Sequence, residues 1–416
     1  MLRLPVVVAH LSQFNNMVNK MQLPLYWLII ITLLGCEMEL DISVPSFPEM
    51  MRYFAVSESM IQYTISANFL GFCLASLVYG PVSEATGRRI WMLIGSSLFL
   101  IGALGCVFSP SIEWLILARF IQGVGASSAL VLGFTMIVDY YRSDQVTNYI
   151  GKINAISTLF LAFAPIVGGL LNKYFSWRAN FIFIAALAAL SWVLIVKMLP
   201  ETLQHKKTIT FKNVFNDYLR LIKSKNFMIY SLVPNLLVAG YLTYLGSTAF
   251  YYIKSCEISV IEFAIHQGIV VAGFSVMSFY TGKITNKLGA NNAAILGAIL
   301  CVLGSLLLLL AAYYLPFQAY LVTITMCLVA IGAAFTMSVT FAQSLEFFPD
   351  LKGIASSFIQ ASRLLISALT VAFAGEIYDG TMLPVASILS ICNITALILT
   401  FVIYKTEWKQ LLRIKA

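Results

Sequence analysis

The chain has 416 residues, 60% of them apolar and only 11% charged, with a formal net charge of +8. Soluble domains run nearer about 45–50% apolar and about 25% charged, so a chain this apolar cannot cover itself with polar surface, and a soluble globular protein is excluded. The seven cysteines (36, 73, 106, 256, 301, 327, 392) show no CxxC pair and no Cys/His ligand spacing, which argues against disulfides, zinc or any other metal site.

Residues 1–23 lack the compact apolar core and small-residue site of a cleaved leader and are expected to form an N-terminal tail. Apolar runs long enough to cross a bilayer follow near 24–45, 60–80, 90–109, 113–138, 150–171 and 179–199, and again near 228–252, 264–284, 292–312, 317–343, 354–378 and 384–404. The sequence therefore predicts an all-α integral membrane protein with twelve spans, six in each of two halves, 24–199 and 227–404. Residues 405–416 form a C-terminal tail.

The first run holds "GCEMELDI", with Glu37, Glu39 and Asp41 inside five residues. Each acid at mid-bilayer costs about 2.5–3.5 kcal/mol on insertion scales, so the cluster demands a purpose. Glu37 and Asp41 are one turn apart and share a face, whereas Glu39 points about 160–200° away. By depth, Asp41 and Arg119 of the fourth run fall within one or two turns of each other. Glu37 and Asp41 are accordingly expected to face a central cavity with Arg119, and Glu39 to pack against another helix or to stay protonated. Gln122 in the fourth run, Tyr241 and Tyr244 in the seventh, and Gln360 and Arg363 in the eleventh are further candidates for contact with a small-molecule cargo.

"GPVSEATG" (80–87) closes the second run and "GKITNKLG" (282–289) closes the eighth. A repeat at the same place in each half is the pattern of transporters built from two related halves. The linker, 200–226, carries Phe211, Val214, Phe215, Tyr218, Leu219 and Ile222 at helical spacing, which predicts an amphipathic helix lying on a membrane surface. If both termini are cytoplasmic, twenty of the 26 Lys and Arg residues fall inside and four outside, with Arg119 and Arg363 left within spans. The basic charge thus marks the cytoplasmic face, and no nucleic-acid partner is expected. No GxxxxGK[ST], HExxH or GxSxG occurs, so neither ATP-driven work nor an enzyme is expected, and no catalytic residues are assigned.

"GPVSEATGRR" resembles the loop 2–3 signature of the major facilitator superfamily, and "LARFIQGVGAS" (117–127) its helix 4 motif. "APIVGG" (164–169) is similar to the helix 5 motif of its proton-driven antiporters. "LDISVPSFP" (40–48), "WRANF" (177–181) and "LPETL" (199–203) resemble the bicyclomycin-resistance (Bcr/CflA) branch of drug:proton antiporters. Four departures stand out: Glu84 and Ala85 within the signature, Ser43 where an aromatic is usual, the extra acids Glu37 and Glu39, and Arg363 where a small or apolar residue is usual.

The resemblance implies two pseudo-symmetric six-helix halves, an inner-membrane location and a monomer without cofactors, driven by a proton gradient. It implies a conformational role for Gly80, Glu84, Gly87, Arg88 and Arg89, and an outer-gate pivot at Pro165, Gly168 and Gly169. Asp41, Glu37 and Arg119 are the expected proton-coupling group, with Glu37 also able to meet cationic cargo. The expected activity is export of drugs or metabolites in exchange for protons by alternating access. The alternative, motivated by Arg363, is dedicated export or uptake of a polar anionic metabolite such as a carboxylate siderophore.

Overall fold

In the computed structural model, residues 24–141, 143–203 and 211–414 are described. The expected N-terminal tail and residues 204–210 of the linker lie outside them. The described residues form helices throughout. They are α1 (Leu25–Asp41), α2 (Phe47–Phe54), α3 (Glu58–Thr86), α4 (Arg88–Val107), α5 (Ile112–Tyr140), α6 (Ser143–Tyr174) and α7 (Trp177–Met198), then α8 (Phe211–Lys223) in the linker. The second half holds α9 (Lys225–Ala249), α10 (Val260–Leu288), α11 (Ala290–Tyr314), α12 (Ala319–Glu346), α13 (Lys352–Ile377) and α14 (Leu383–Ile414). Ten of these are long and apolar enough to cross a bilayer by composition alone. With α1, a helix of 17 residues, and α6, which is apolar over Leu159–Tyr174 among the described residues, the spans number twelve.

The first span departs from the expected 24–45. Its α-helix stops at Asp41, and the chain passes through a turn and a 3-10 segment, Val44–Ser46, into α2. Pro45 and Pro48 lack the N–H an unbroken helix would need here. Glycine ends the span in each half at matched positions: Gly87 (φ 123°) between α3 and α4, and Gly289 (φ 83°) between α10 and α11. Only glycine takes such a φ without strain, so the two glycine-spaced repeats mark two equivalent sharp turns.

Within each half, helices approach on small residues, as apolar spans must when no water drives them together. A Cβ on Gly123 of α5 would stand 2.0 Å from the Asn68 carbonyl oxygen of α3, and one on Gly332 of α12 2.4 Å from the Gly297 carbonyl oxygen of α11. The linker helix α8 buries Leu221 and half-buries Tyr218 beside Phe227, Phe348 and Ile359, while Phe215 and Ile222 stay exposed.

The halves meet along α3–α13 and α6–α10. At the end away from the linker, Lys254 pairs with Glu58, the Tyr63 hydroxyl donates to Glu376, Gln62 Nε2 donates to Ser247 Oγ (3.3 Å), and the Phe47 and Phe250 rings lie 6.1 Å apart. Gly169 of α6 packs there on Val260 and Ala264 of α10. Towards the linker, Gly273 and Gly282 of α10 have nothing within 4 Å of where a side chain would begin. The bundle is therefore joined tightly at the end away from the linker and is looser along α10 towards it.

Candidate functional site

The polar centre of the first half is built on Arg119, which is 1% exposed. Its Nη1 lies 3.7 Å from Glu39 Oε2 and donates to Gln122 Oε1 (3.1 Å); its Nη2 donates to Ser43 Oγ (2.9 Å). The Phe181 ring faces the guanidinium at 5.4 Å. Asn68 Nδ2 donates both to Glu39 Oε1 (3.0 Å) and to the Arg119 carbonyl (3.2 Å). Cys106 Sγ donates to Gln122 Oε1 at 3.5 Å. The network pins the end of α1 to α3 and α5, and through Ser43 it holds the turn that follows Asp41.

This arrangement corrects the pairing expected from the sequence. The helical wheel separates Glu39 from Glu37 and Asp41, but Arg119 stands on Glu39's face. The depth argument fixed the level of Arg119 and could not fix the side from which α5 approaches α1. Glu37 is half-buried and reaches towards Ser157 of α6. Asp41 is 6% exposed, its Oδ1 is sealed from solvent, and no side chain among the described residues pairs with it. It lies close enough to Tyr241 of the second half to interact electrostatically. The next residue, Ile42, presents its carbonyl to Gly168, where an added Cβ would stand 2.1 Å from that oxygen. Asp41 thus sits at the seam between halves, beside the helix 5 motif, with Pro165 inside α6 one turn away.

The candidate cargo residues divide. Gln122 and Tyr244 are wholly buried, Gln122 committed to Arg119 and Tyr244 within the apolar core, so neither is placed to touch cargo here. Tyr241 is half-buried, accepts from Gln267 Nε2 (3.1 Å), and lines a cavity of about 130 Å³ with Leu161 of α6, Val270 and Phe274 of α10, and Val329 and Met337 of α12. Gln360 and Arg363 are half-buried on α13.

At the linker end, the loop signature carries a latch. Arg88 Nε donates to Asp139 Oδ2 of α5 (3.0 Å) and its Nη1 to Ser83 Oγ (2.6 Å), while Glu84 Oε1 lies 3.8 Å from its Nη2. Glu84 thus meets an arginine, and the N-terminus of α4 is met instead by Glu201. Its Oε1 accepts from the Arg88 N–H (2.9 Å) and its Oε2 from the Arg89 N–H (3.2 Å), at the positive end of α4. Burial pushes the Glu201 carboxyl up, but the backbone N–H groups of Leu203, Arg88, Arg89 and Thr202 outweigh it and hold the carboxyl below its usual range. Asp139 and Glu201 escaped the sequence reading as partners of this loop. The one available signal was Glu201's place in "LPETL".

Comparison with known proteins agrees with this geometry. The sequence profile of the Major Facilitator Superfamily matches residues 29–371. The chain is 28% identical over 388 residues to the uncharacterized MFS-type transporter YdgK of Bacillus subtilis, covering 90% of this chain and 94% of that one. It is 24% identical over 369 residues to a bicyclomycin resistance protein homolog of Haemophilus influenzae, covering 86% and 90%. A D-xylose-proton symporter has the same fold, with TM-score 0.71 at 16% identity over 90% of this chain and 96% of the other. Two related halves of six spans, glycine turns at matched positions and a profile match over most of the length lead to one conclusion: the chain is a multi-pass membrane transport protein belonging to the major facilitator superfamily.

Proposed function

We propose that this protein exports small organic molecules across the inner membrane in exchange for protons, with both termini in the cytoplasm and Asp41 as the group that takes and gives up the proton. One observation carries the reading: Asp41 is a buried carboxylate left without a side-chain partner among the described residues at the seam of the two halves, two residues from a carboxylate that is ion-paired to Arg119 and accepts from Asn68. An unpaired intramembrane acid is costly and persists where a proton or cargo uses it.

Arg119 is a positioning residue in this scheme. Held by Glu39, Ser43 and Gln122, it fixes the break in α1 on which Asp41 rides. The tight contacts at the end away from the linker describe a state closed on that side. Rocking the halves about α3–α13 and α6–α10 would separate Lys254 from Glu58, and a proton on Asp41 removes the charge that otherwise resists its burial at the seam. Binding, proton exchange and rocking then compose secondary active transport.

The test uses purified protein in liposomes with an imposed pH gradient and bicyclomycin as the first probe, chosen for the relative's name. The reading predicts uptake that collapses when a protonophore removes the gradient. Uptake of equal rate with and without the gradient would remove proton coupling.

A further inference from the structure

Helix α13 turns a polar row away from the lipid. Leu365, Leu369 and Phe373 are exposed at four-residue spacing and mark its lipid face. Ser356, Gln360, Arg363, Ser367 and Thr370, spaced four, three, four and three, fall on the side roughly opposite. Ser356, Gln360, Arg363 and Thr370 are half-buried on this side, away from the exposed leucines and Phe373 of the lipid face. Leu364, beside Arg363, packs against apolar clusters of both halves, which puts the row at the seam.

Within that row Arg363 is alone. Its Nε is sealed from solvent without a hydrogen-bond partner, and no carboxylate among the described residues lies within ion-pairing distance. Gln360, one turn earlier, also has no side-chain partner among them. Other arginines are engaged: Arg88 with Asp139, Arg119 with Glu39, and Arg220 with Asp350. Arg363 stands about 16 Å along α13 from its start, near the middle of a bilayer, where an uncompensated cation is most costly.

We infer that Arg363, with Gln360 beside it, is a carboxylate-binding subsite on the cargo path, so that the transported molecules include small organic monoacids. A guanidinium presents two parallel N–H groups that match a carboxylate. One cation without a second favours a single carboxylate over a doubly charged phosphate. The inference rests on the transporter reading and names the class of cargo.

The test measures binding of p-aminohippurate, a monocarboxylate, and of neutral bicyclomycin to purified protein. Arg363→Gln should weaken p-aminohippurate about tenfold or more, the worth of a charged hydrogen bond, and change bicyclomycin binding less than about twofold. Arg363→Lys should recover part of the loss. Gln360→Leu, which leaves the cation in place, should weaken p-aminohippurate severalfold and serves if Arg363→Gln does not fold. Wild-type protein that does not bind p-aminohippurate, or variants that bind it as well as wild type, would overturn the subsite. Gradient-driven bicyclomycin uptake by wild type reads the transporter proposal separately.

Discussion

Glu39 Oε2 and Arg119 Nη1 stand 3.7 Å apart in a site that is at most 2% exposed, and Asn68 holds the other carboxylate oxygen. Removing one partner of a buried pair leaves the other charge uncompensated, at about 3–5 kcal/mol. Glu39→Leu should therefore lower the melting temperature in detergent sharply. Glu39→Gln, which keeps an acceptor for Asn68, should lower it less. Equal melting of Glu39→Leu and wild type would show that the pair contributes nothing.

The Glu201 latch has a pH signature. Its carboxyl lies below the unfolded value of 4.5, so its contribution is fully present above about pH 4.5 and is lost as pH falls through the lower folded value. Glu201→Gln should destabilise the protein at neutral pH and flatten its loss of stability below about pH 4.5. Melting curves from pH 7 to 3 check this, and parallel curves for variant and wild type would contradict it.

The Lys254–Glu58 contact tests the closed end of the bundle. Both side chains are partly exposed, so the pair is worth at most about 1 kcal/mol, and its loss can shift a two-state balance only severalfold. Lys254→Met should raise the labelling rate of a cysteine placed at Ser247 by up to about fivefold, because the end opens more often. An unchanged rate would show that the contact does not restrain opening.

Much of the fold was legible in the sequence because its determinants are local. Run length gave the spans, and the two glycine-spaced repeats gave equivalent turns, seen as positive φ at Gly87 and Gly289. The amphipathic linker pattern likewise appears as α8. The site was legible only in part. Helical periodicity correctly separated Glu39 from Glu37 and Asp41, but which face meets Arg119 depends on how α5 packs against α1, set by close approaches such as Gly133 on Ile29. The same limit applies to Glu201, which reaches Arg88 and Arg89 across more than a hundred residues of chain. Gln122 read as a cavity residue although its i, i+3 spacing to Arg119 is local, because nothing local shows that Cys106 of α4 closes over it.

Asp41 and Glu39 give the central claim its sharpest contrast, since they sit two residues apart on one helix and only Asp41 lacks a partner. The decisive measurement is proton movement across proteoliposomes, recorded with an internal pH-sensitive dye on adding bicyclomycin or p-aminohippurate. Wild-type protein and Glu39→Gln, compared at equal amounts of folded protein, should both move protons. Asp41→Asn should still bind the probe and move none. Proton movement that survives in Asp41→Asn but disappears in Glu39→Gln would contradict the assignment.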